Sequence, residues 1–203
     1  MRVLILSGDG IGPEIMAQNF KALQVVNEKF RLGIIFEEMS IGLEALKSKK
    51  STFPKKVLNV AKSVDATVLG PVSTFQYPPK EEGGVSPSAT LRVELDLFAN
   101  IRPNRTRANV PSVVKHMDLV IVRENTEGFY ADRNMFLGSG EFMPTKDTAL
   151  SIRKITRSGS RRIALQAFEI AMRREKKLTI VHKANVLKMT DGLFLEVARE
   201  VAK

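Results

Sequence analysis

The sequence contains no cysteine and no tryptophan among its 203 residues. The lack of cysteine excludes a disulfide framework and thiol chemistry, and a cytoplasmic location is the default expectation for such a chain. Its apolar runs are much shorter than the roughly 20 residues that a transmembrane helix requires, so no membrane partner is expected. The first apolar run, residues 3–6, is followed closely by Asp9, which argues against a signal peptide.

Acidic residues are scarce relative to basic ones, which gives a formal net charge of +10 and an isoelectric point of about 9.9. Such a balance raises the question of nucleic acid. Aromatic residues make up only 6% of the chain, and no stacking motif interleaves with the basic clusters at 47–50, 161–162 and 173–177. We therefore expect no nucleic-acid partner, but a solvated basic surface that in part binds an anionic substrate. The alternative is that these residues are half of a protein whose other half is acidic.

The first half of the sequence alternates between short apolar runs and helical periodicity. These patterns predict strands at 3–6, 32–36 and 66–71, and helices from the glycine-rich turn 8–14 to about 28, at 42–49 and at 54–63. This alternation is typical of an α/β layer with parallel strands. The proline- and glycine-rich residues 73–88 follow as a long loop, of a kind that is usually functional or mobile.

The second half is more irregular. A strand at 118–122, expected to be buried, leads directly into the polar residues 123–130, RENTEGFY. The other predicted elements are a helix at 88–97, extended chain at 97–103, an irregular glycine-rich stretch at 136–144, a helix at 160–174, a strand at 178–181 and a helix at 192–201.

Residues 123–130 place Arg123, two carboxylates and Tyr130 at the end of that apolar strand. Strand ends are where α/β proteins bind ligands. Arg92 and Arg102 also lie at or near the ends of predicted elements, and the planar guanidinium fork suits bidentate binding of a carboxylate. Taken alone, each arginine is an ordinary surface residue, and a lone tyrosine is more often part of a core.

Four segments, in this order, resemble the isocitrate/isopropylmalate dehydrogenase family: GDGIGPE at 8–14, LRVELDLFANIRP at 91–103, RENTEGFY at 123–130 and HKANVLKMTDGLF at 182–194. The resemblance implies two α/β domains, with residues 1–98 beginning the large domain and residues 99–203 forming an incomplete small, dimerisation domain. It implies oxidation and decarboxylation of a 2-hydroxy acid with NAD or NADP and with Mg²⁺ or Mn²⁺. A homodimer with sites shared between subunits is expected.

The resemblance also implies which residues bind a small carboxylate substrate. Arg92, Arg102 and Arg123 correspond to the arginines that clamp its malate part. Ser86 and Ser88 fall where family members contact the variable substituent. Ser86 agrees with the isocitrate enzymes, whereas Ser88 stands where those enzymes typically carry asparagine.

Catalytic and cofactor roles follow from the same resemblance. Tyr130 would protonate the enolate, and Lys183, delivered into the partner subunit's site, would help to deprotonate the hydroxyl group. Both chemistries need a positioned acid and base. His182 is expected to be a structural neighbour of Lys183. The residues expected to contact the cofactor are Val72, Ser73, Thr74 and Asn185.

No metal-ligand cluster is evident in the sequence, and the resemblance places the metal aspartates downstream of residues 182–194. The chain therefore reads as part of a catalytic subunit, an account that the retained Tyr130 and Lys183 favour. The alternative is a non-catalytic binding or regulatory subunit. Isocitrate is the first-choice substrate, because the motifs are closer to isocitrate and homoisocitrate enzymes. Isopropylmalate, homoisocitrate and tartrate stay open.

Overall fold

A computed structural model describes residues 1–130, 135–138 and 140–203. The chain divides into two compact units, Met1–Leu95 and Asp96–Lys203. The large-domain and dimerisation roles expected of the two parts stay predictions. No helix in the described ranges combines the length and the apolar character needed to cross a bilayer.

Unit 1 is built on a parallel sheet of three strands, which confirms the predicted α/β layer. The strands are β1 (Arg2–Leu6), β2 (Ile35–Glu38) and β3 (Ala66–Leu69), in the order β2-β1-β3. In the register of the sheet, Val3 of the central strand lies opposite Phe36 on one side and Ala66 on the other. The central strand is buried at four of its five residues, because both of its faces are covered.

The helices of unit 1 are α1 (Gly12–Phe30), α2 (Gly42–Lys49), α3 (Lys55–Ala61) and α4 (Pro87–Glu94). Pro13 and Glu14 occupy the first turn of α1, as predicted. The second strand was predicted at 32–36 but begins only at Ile35. The chain first leaves α1 through Arg31 in the left-handed region, and the Asn27 side chain then binds both backbone groups of Ile34 at 2.9–3.0 Å.

The core of unit 1 lies on both faces of the sheet, since alternate residues of β1 point in opposite directions. Leu4 and Leu6 pack with residues of α3 and α4 such as Val57 and Leu91. Val3 and Ile5 pack on the other face with Met16 of α1. The long loop 73–88 is tied to this core by the buried Thr52, whose hydroxyl group donates to Val85 O at 2.6 Å and accepts from Val85 N at 2.7 Å.

The described residues of unit 2 form two antiparallel strand pairs and two helices. The pairs are β4 (Ala99–Arg105) with β5 (Asp118–Glu124), and β6 (Glu141–Thr145) with β7 (Thr148–Ser151). The helices are α5 (Arg157–Met172) and α6 (Thr190–Val201), and α5 packs against both α6 and β5. The small core of this unit includes Ile163 and Ala164 of α5 and Val197 and Ala198 of α6.

Three expectations for the second half were wrong. The 118–122 strand exists but is not buried: Leu119 and Ile121 are 40% and 50% exposed, so the face of β5 that carries them is left largely uncovered by the described residues. Residues 178–181 form no strand in the described chain, since an apolar run needs a neighbouring strand to pair with, and Val181 is 86% exposed. The stretch 136–144, predicted to be irregular, contains most of β6, while its Ser139 lies outside the described residues.

Candidate functional site

The order β2-β1-β3 creates a switch point between β1 and β3, the position where open α/β sheets bind ligands. The turn after β1 and the loop after β3 meet there, with Asp9 N donating to Pro71 O at 2.7 Å and Gly70 N donating to Leu6 O at 2.8 Å. At Gly8, which has a φ of 79°, a Cβ atom would lie 1.9 Å from Pro71 O. The glycine-rich signature is therefore needed so that these two turns can touch.

The buried carboxylate of Asp9 organises this switch point. It accepts hydrogen bonds from Leu43 N at 2.7 Å, from Ser73 N at 3.1 Å and from the Tyr77 hydroxyl group at 2.5 Å. Burial and the hydrogen bond to Asp9 raise the pKa of the Tyr77 phenol well above its ordinary value, so the phenol remains a donor. Sequence reasoning missed both residues. The one feature of the sequence that could have indicated Asp9 is its position as an acidic residue inside a glycine-rich turn.

The three residues expected to contact the cofactor in this unit are placed differently from one another. Val72 packs its side chain against the core of unit 1. Ser73 is half-buried and held by Asp9, while Thr74 is exposed at the start of a short 3₁₀ turn. Of the three side chains, the hydroxyl groups of Ser73 and Thr74 are therefore the ones available for polar contact with a ligand.

Helix α4 carries Ser86, Ser88 and Arg92. Ser86 is the N-cap: its hydroxyl oxygen accepts from Ala89 N at 3.4 Å, so it stabilises the helix start. Ser88 and Arg92 are half-buried and four residues apart, which places them on one face of α4. The helix thus offers a hydroxyl group and a guanidinium group side by side, while the cap bond at Ser86 uses only its hydroxyl oxygen as acceptor.

Arg102 and Arg123 share one face of the β4–β5 pair. Arg123 lies opposite Asn100 in the register, and Arg102 is two residues further along the same strand face as Asn100. The Asn100 side-chain oxygen accepts from Arg102 Nε at 2.8 Å. Arg123 in turn donates to the Tyr130 hydroxyl oxygen at 3.4 Å, with its guanidinium carbon 5.6 Å from the ring centroid. The structure therefore brings Arg102, Arg123 and Tyr130 together.

The first carboxylate of RENTEGFY closes a turn and does not face outward as a ligand. Glu124 accepts from Thr126 N at 2.8 Å, from the Thr126 hydroxyl group at 2.5 Å and from Glu127 N at 2.6 Å. Asn125, which lies between Glu124 and Thr126 in the sequence, is buried and donates its backbone N–H to Phe98 O at 2.8 Å. The turn is thereby fastened to the start of β4.

The second carboxylate, Glu127, anchors helix α5. It accepts from Thr156 N at 3.0 Å and from the Thr156 hydroxyl group, while Thr156 as N-cap accepts from Gly159 N at 3.0 Å. A Cβ atom at Gly159 would lie 2.6 Å from the Glu127 carboxyl group. The acidic residues of the motif are thus used by the fold, which leaves Arg123 and Tyr130 as its groups for chemistry.

Arg162 of α5 is a further organising residue that sequence reasoning missed. Its guanidinium carbon lies 4.5 Å from the Phe98 ring centroid, and its amino groups donate to Asp96 at 2.7–2.9 Å and to the Thr126 hydroxyl group at 2.7 Å. It also pairs with Glu124 at 3.5 Å. No spacing rule in the sequence predicts these contacts, because they join positions 36 to 66 residues apart.

Lys183 and Asn185 lie in an irregular, exposed segment that precedes α6. The Lys183 backbone N–H donates to Asp191 Oδ1 at 2.8 Å. His182 Nδ1 accepts from Ala184 N at 3.1 Å, which gives this ring a local structural role. The described residues contain no group of three or more histidine, aspartate or glutamate side chains arranged to hold a metal ion, so they do not supply a metal site.

Gly159 and Gly192 provide a matched test of the Glu127 anchor, since each is the third residue of its helix. Alanine has a higher helix propensity than glycine by up to about 1 kcal/mol. Gly192→Ala should therefore raise the urea midpoint of unfolding, because its Cβ meets no atom within 4 Å. Gly159→Ala should lower the midpoint, with a loss of about 1–2 kcal/mol in the free energy of unfolding, because Glu127 must leave Thr156. Stabilisation by both substitutions would contradict the anchor.

The comparisons with known proteins agree on one family. The isocitrate/isopropylmalate dehydrogenase family model matches residues 2–203. The 3-isopropylmalate dehydrogenase of Saccharolobus solfataricus is 37% identical over 202 residues, which cover 100% of this chain and 56% of that protein. The homoisocitrate dehydrogenase of Methanocaldococcus jannaschii is 37% identical, with coverages of 100% and 58%.

A solved structure shows the same fold. The isocitrate dehydrogenase of Methylococcus capsulatus superposes with a TM-score of 0.79 at 35% identity, covering 99% of this chain and 56% of that one. The chain therefore spans little more than half the length of the relatives that it matches. The family model and both identities rest on nearly every residue of the chain, and they agree with the four motifs in order. The chain belongs to the isocitrate/isopropylmalate dehydrogenase family.

Proposed function

We propose that this sequence forms part of an NAD(P)-dependent enzyme that oxidises and decarboxylates a 2-hydroxy di- or tricarboxylic acid. The observation that carries the proposal is the shared face of Arg102 and Arg123 on the β4–β5 pair, with Tyr130 from the following turn in contact with Arg123. Two guanidinium groups on one face suit the carboxylates of such an acid. A phenol beside them supplies a proton donor at the same place.

The electrostatics of the arginines support an anionic substrate. In the described part of the chain, no carboxylate lies within 4.0 Å of Arg92, Arg102 or Arg123, whereas Arg162 and Arg174 are paired with aspartates at 2.5–2.7 Å. Arg162 and Arg174 are thus neutralised within the fold, whereas the charges of the three arginines that match the substrate motif are not met by a carboxylate of the described residues.

The proposed chemistry needs one base and one acid. Lys183, presented by the exposed segment before α6, takes the substrate's hydroxyl proton in the partner subunit's site as the hydride leaves the carbon. NAD(P)⁺, when bound, supplies the hydride acceptor. The resulting β-keto acid loses CO₂, and Tyr130 gives its proton to the enolate carbon. In the Arg123–Tyr130 contact the phenolic oxygen accepts, so that contact does not use the hydroxyl hydrogen.

Part of the cofactor contact is assigned to Ser73, Thr74 and Asn185, while Val72 would contribute its backbone only, since its side chain packs inward. The family reaction uses Mg²⁺ or Mn²⁺, but the described residues offer no ligand set for it. We therefore assign no step of the reaction to a metal held by these residues. A homodimer with shared sites is part of the proposal.

Isocitrate is the proposed substrate. Ser88 lies half-buried on α4, where the resemblance places contact with the variable substituent, and its hydroxyl group suits a polar, anionic substituent better than an isopropyl group. The names of the relatives leave homoisocitrate and isopropylmalate as alternatives, and tartrate is a further one. The competing class is a non-catalytic binding or regulatory subunit, in which the same arginines would bind an acid without turnover.

The substrate is tested by following NAD(P)H formation by the protein encoded by the complete reading frame, with Mg²⁺ or Mn²⁺. Isocitrate, homoisocitrate, isopropylmalate, malate and tartrate are each offered with both coenzymes. We expect turnover of isocitrate to exceed that of the other acids in kcat/KM. A higher kcat/KM for isopropylmalate than for isocitrate would overturn the assignment of isocitrate as the substrate. Binding of an acid without turnover of any would instead establish the non-catalytic subunit.

The roles of Lys183 and Tyr130 are tested by Lys183→Met and Tyr130→Phe in the same protein. Removing a general base or acid lowers kcat by about 10²–10⁴-fold, and both variants should lose activity in that range while their unfolding curves stay unchanged. Lys188→Met, in the same exposed segment, is the matched control and should retain full activity. Near-normal kcat in both variants would refute the mechanism.

A further inference from the structure

The carboxylate of Asp191 is only 4% exposed and uses its two oxygens in different directions. Oδ1 accepts from the Lys183 backbone N–H at 2.8 Å, and Oδ2 accepts from the guanidinium group of Arg153. The Thr190 hydroxyl group adds a contact to Oδ2 at 3.4 Å. One buried side chain thus links the proposed base to an arginine that lies 38 residues earlier in the chain.

The Lys183 backbone is held at both its N–H and its carbonyl group. Its carbonyl oxygen accepts from Val186 N at 3.0 Å and from Leu187 N at 2.8 Å, while its N–H is held by Asp191. The surrounding segment has no strand or helix to hold it, and Met189 is 88% exposed. Without Asp191, the Lys183 N–H would lose its bond in a segment that otherwise has little packing.

Arg153, the other partner, is adjacent to the segment that fastens RENTEGFY. Lys154 and Gly128 exchange two backbone hydrogen bonds, of 2.8 and 2.9 Å, and Thr156 binds Glu127. The residues from Arg153 to Thr156 therefore contact both the motif that carries Tyr130 and the residue that holds Lys183. This connection runs through packed and hydrogen-bonded groups within unit 2.

We propose that Asp191, held by Arg153, is a positioning residue that sets the backbone of Lys183 and ties its placement to the RENTEGFY motif. The proposal rests on the proposed function, in which Lys183 is the base. Asp191 touches no reacting atom, so its effect on turnover comes entirely from the position of Lys183. A misplacement of about 1 Å in a reacting group can cost on the order of 10²-fold in rate.

The charge of Asp191 supports this arrangement. Burial raises the pKa of the Asp191 carboxyl, but the hydrogen bonds from Arg153 and from the Lys183 N–H outweigh burial and hold the pKa below its ordinary value. The group is therefore a carboxylate at neutral pH. A charged acceptor holds an N–H donor more strongly than a neutral one does.

The test combines hydrogen exchange with kinetics in the protein from the complete reading frame. Asp191→Asn and Arg153→Met should speed exchange of the Lys183 amide and lower kcat roughly tenfold or more, with the substrate KM changed less than about threefold. Arg153→Lys keeps the cation and should restore part of kcat. Arg157→Met is the matched control, because it breaks ion pairs from α5 to Glu196 and Glu200 of α6 without touching Lys183.

The possible outcomes separate this inference from the proposed function. Unchanged exchange at Lys183 in Asp191→Asn overturns the positioning role, whatever the activity. If the Lys183 amide exchanges faster but kcat is unchanged, the proposal that the position of Lys183 governs turnover is wrong. If the unsubstituted protein turns over none of the acids, the proposed function fails, and the exchange measurement still decides whether Asp191 holds the Lys183 backbone. Should Asp191→Asn fail to fold, Arg153→Lys and Arg153→Met carry the comparison.

The lowered pKa of Asp191 also predicts how its contribution to stability depends on pH. The carboxyl pKa is lower in the folded chain than in the unfolded chain, where it is about 3.9, so the unfolded chain binds more protons between the two values. The contribution is therefore present above the unfolded pKa and is lost as the pH falls through the folded pKa.

The measurement compares urea midpoints of the unsubstituted chain and Asp191→Asn from neutral pH down to about pH 3. The gap between them should be largest near neutrality and shrink at acidic pH. Val57→Ala, a core substitution without a titrating group, should show a nearly constant gap across the same range. If the difference in urea midpoint for Asp191→Asn is equally constant across this range, Asp191 is not the charged carboxylate assigned here.

Discussion

A carboxylate taken out of water must be met by donors, and this constraint shapes every loop that carries a candidate functional residue in this chain. Asp9, Glu124, Glu127 and Asp191 each accept at least one backbone N–H. In each case the donor belongs to a turn, a loop or a helix start that has few other contacts. The four acids thus fix the backbone of glycine-rich or irregular segments. The candidate ligand-binding residues are the neighbouring ones whose side chains are not used in this way.

The same constraint explains which parts of the fold the sequence predicts. Helix α2 has the predicted bounds, and α1 begins at the predicted turn, because local periodicity and helix-start residues act over a few positions. The strand predicted at 178–181 is absent, since an apolar β-branched run has the same local pattern whether or not another strand pairs with it. Burial of 118–122 was wrongly predicted for a related reason: it depends on what covers the strand, which the local pattern does not contain.

The candidate site divides in a similar way. The motif resemblance gave Arg102, Arg123 and Tyr130. The structure places the two arginines on one face of the β4–β5 pair and Tyr130 in contact with Arg123. The resemblance could not give Asp9 or Arg162, because their partners lie between 34 and 68 residues away and no periodicity records such contacts. The sequence assigned no role to the two acids of RENTEGFY, and the structure shows that Glu124 holds the turn and Glu127 holds the start of α5. A motif thus specifies which residue types occur together. Which of them stabilise the fold and which are left to bind or react with a ligand depends on three-dimensional contacts.

The same division separates the charges of the chain by use. The chain has 22 acidic and 32 basic residues, and several of its acids bind backbone N–H groups. Arginines that hold the fold together, such as Arg162 and Arg174, keep an acidic partner. Arg92, Arg102 and Arg123 have none among the described residues, so their positive charge is available to a small anion. The net charge of +10 follows from the composition, and the three arginines without an acidic partner are the part of it that the proposed carboxylate site would use.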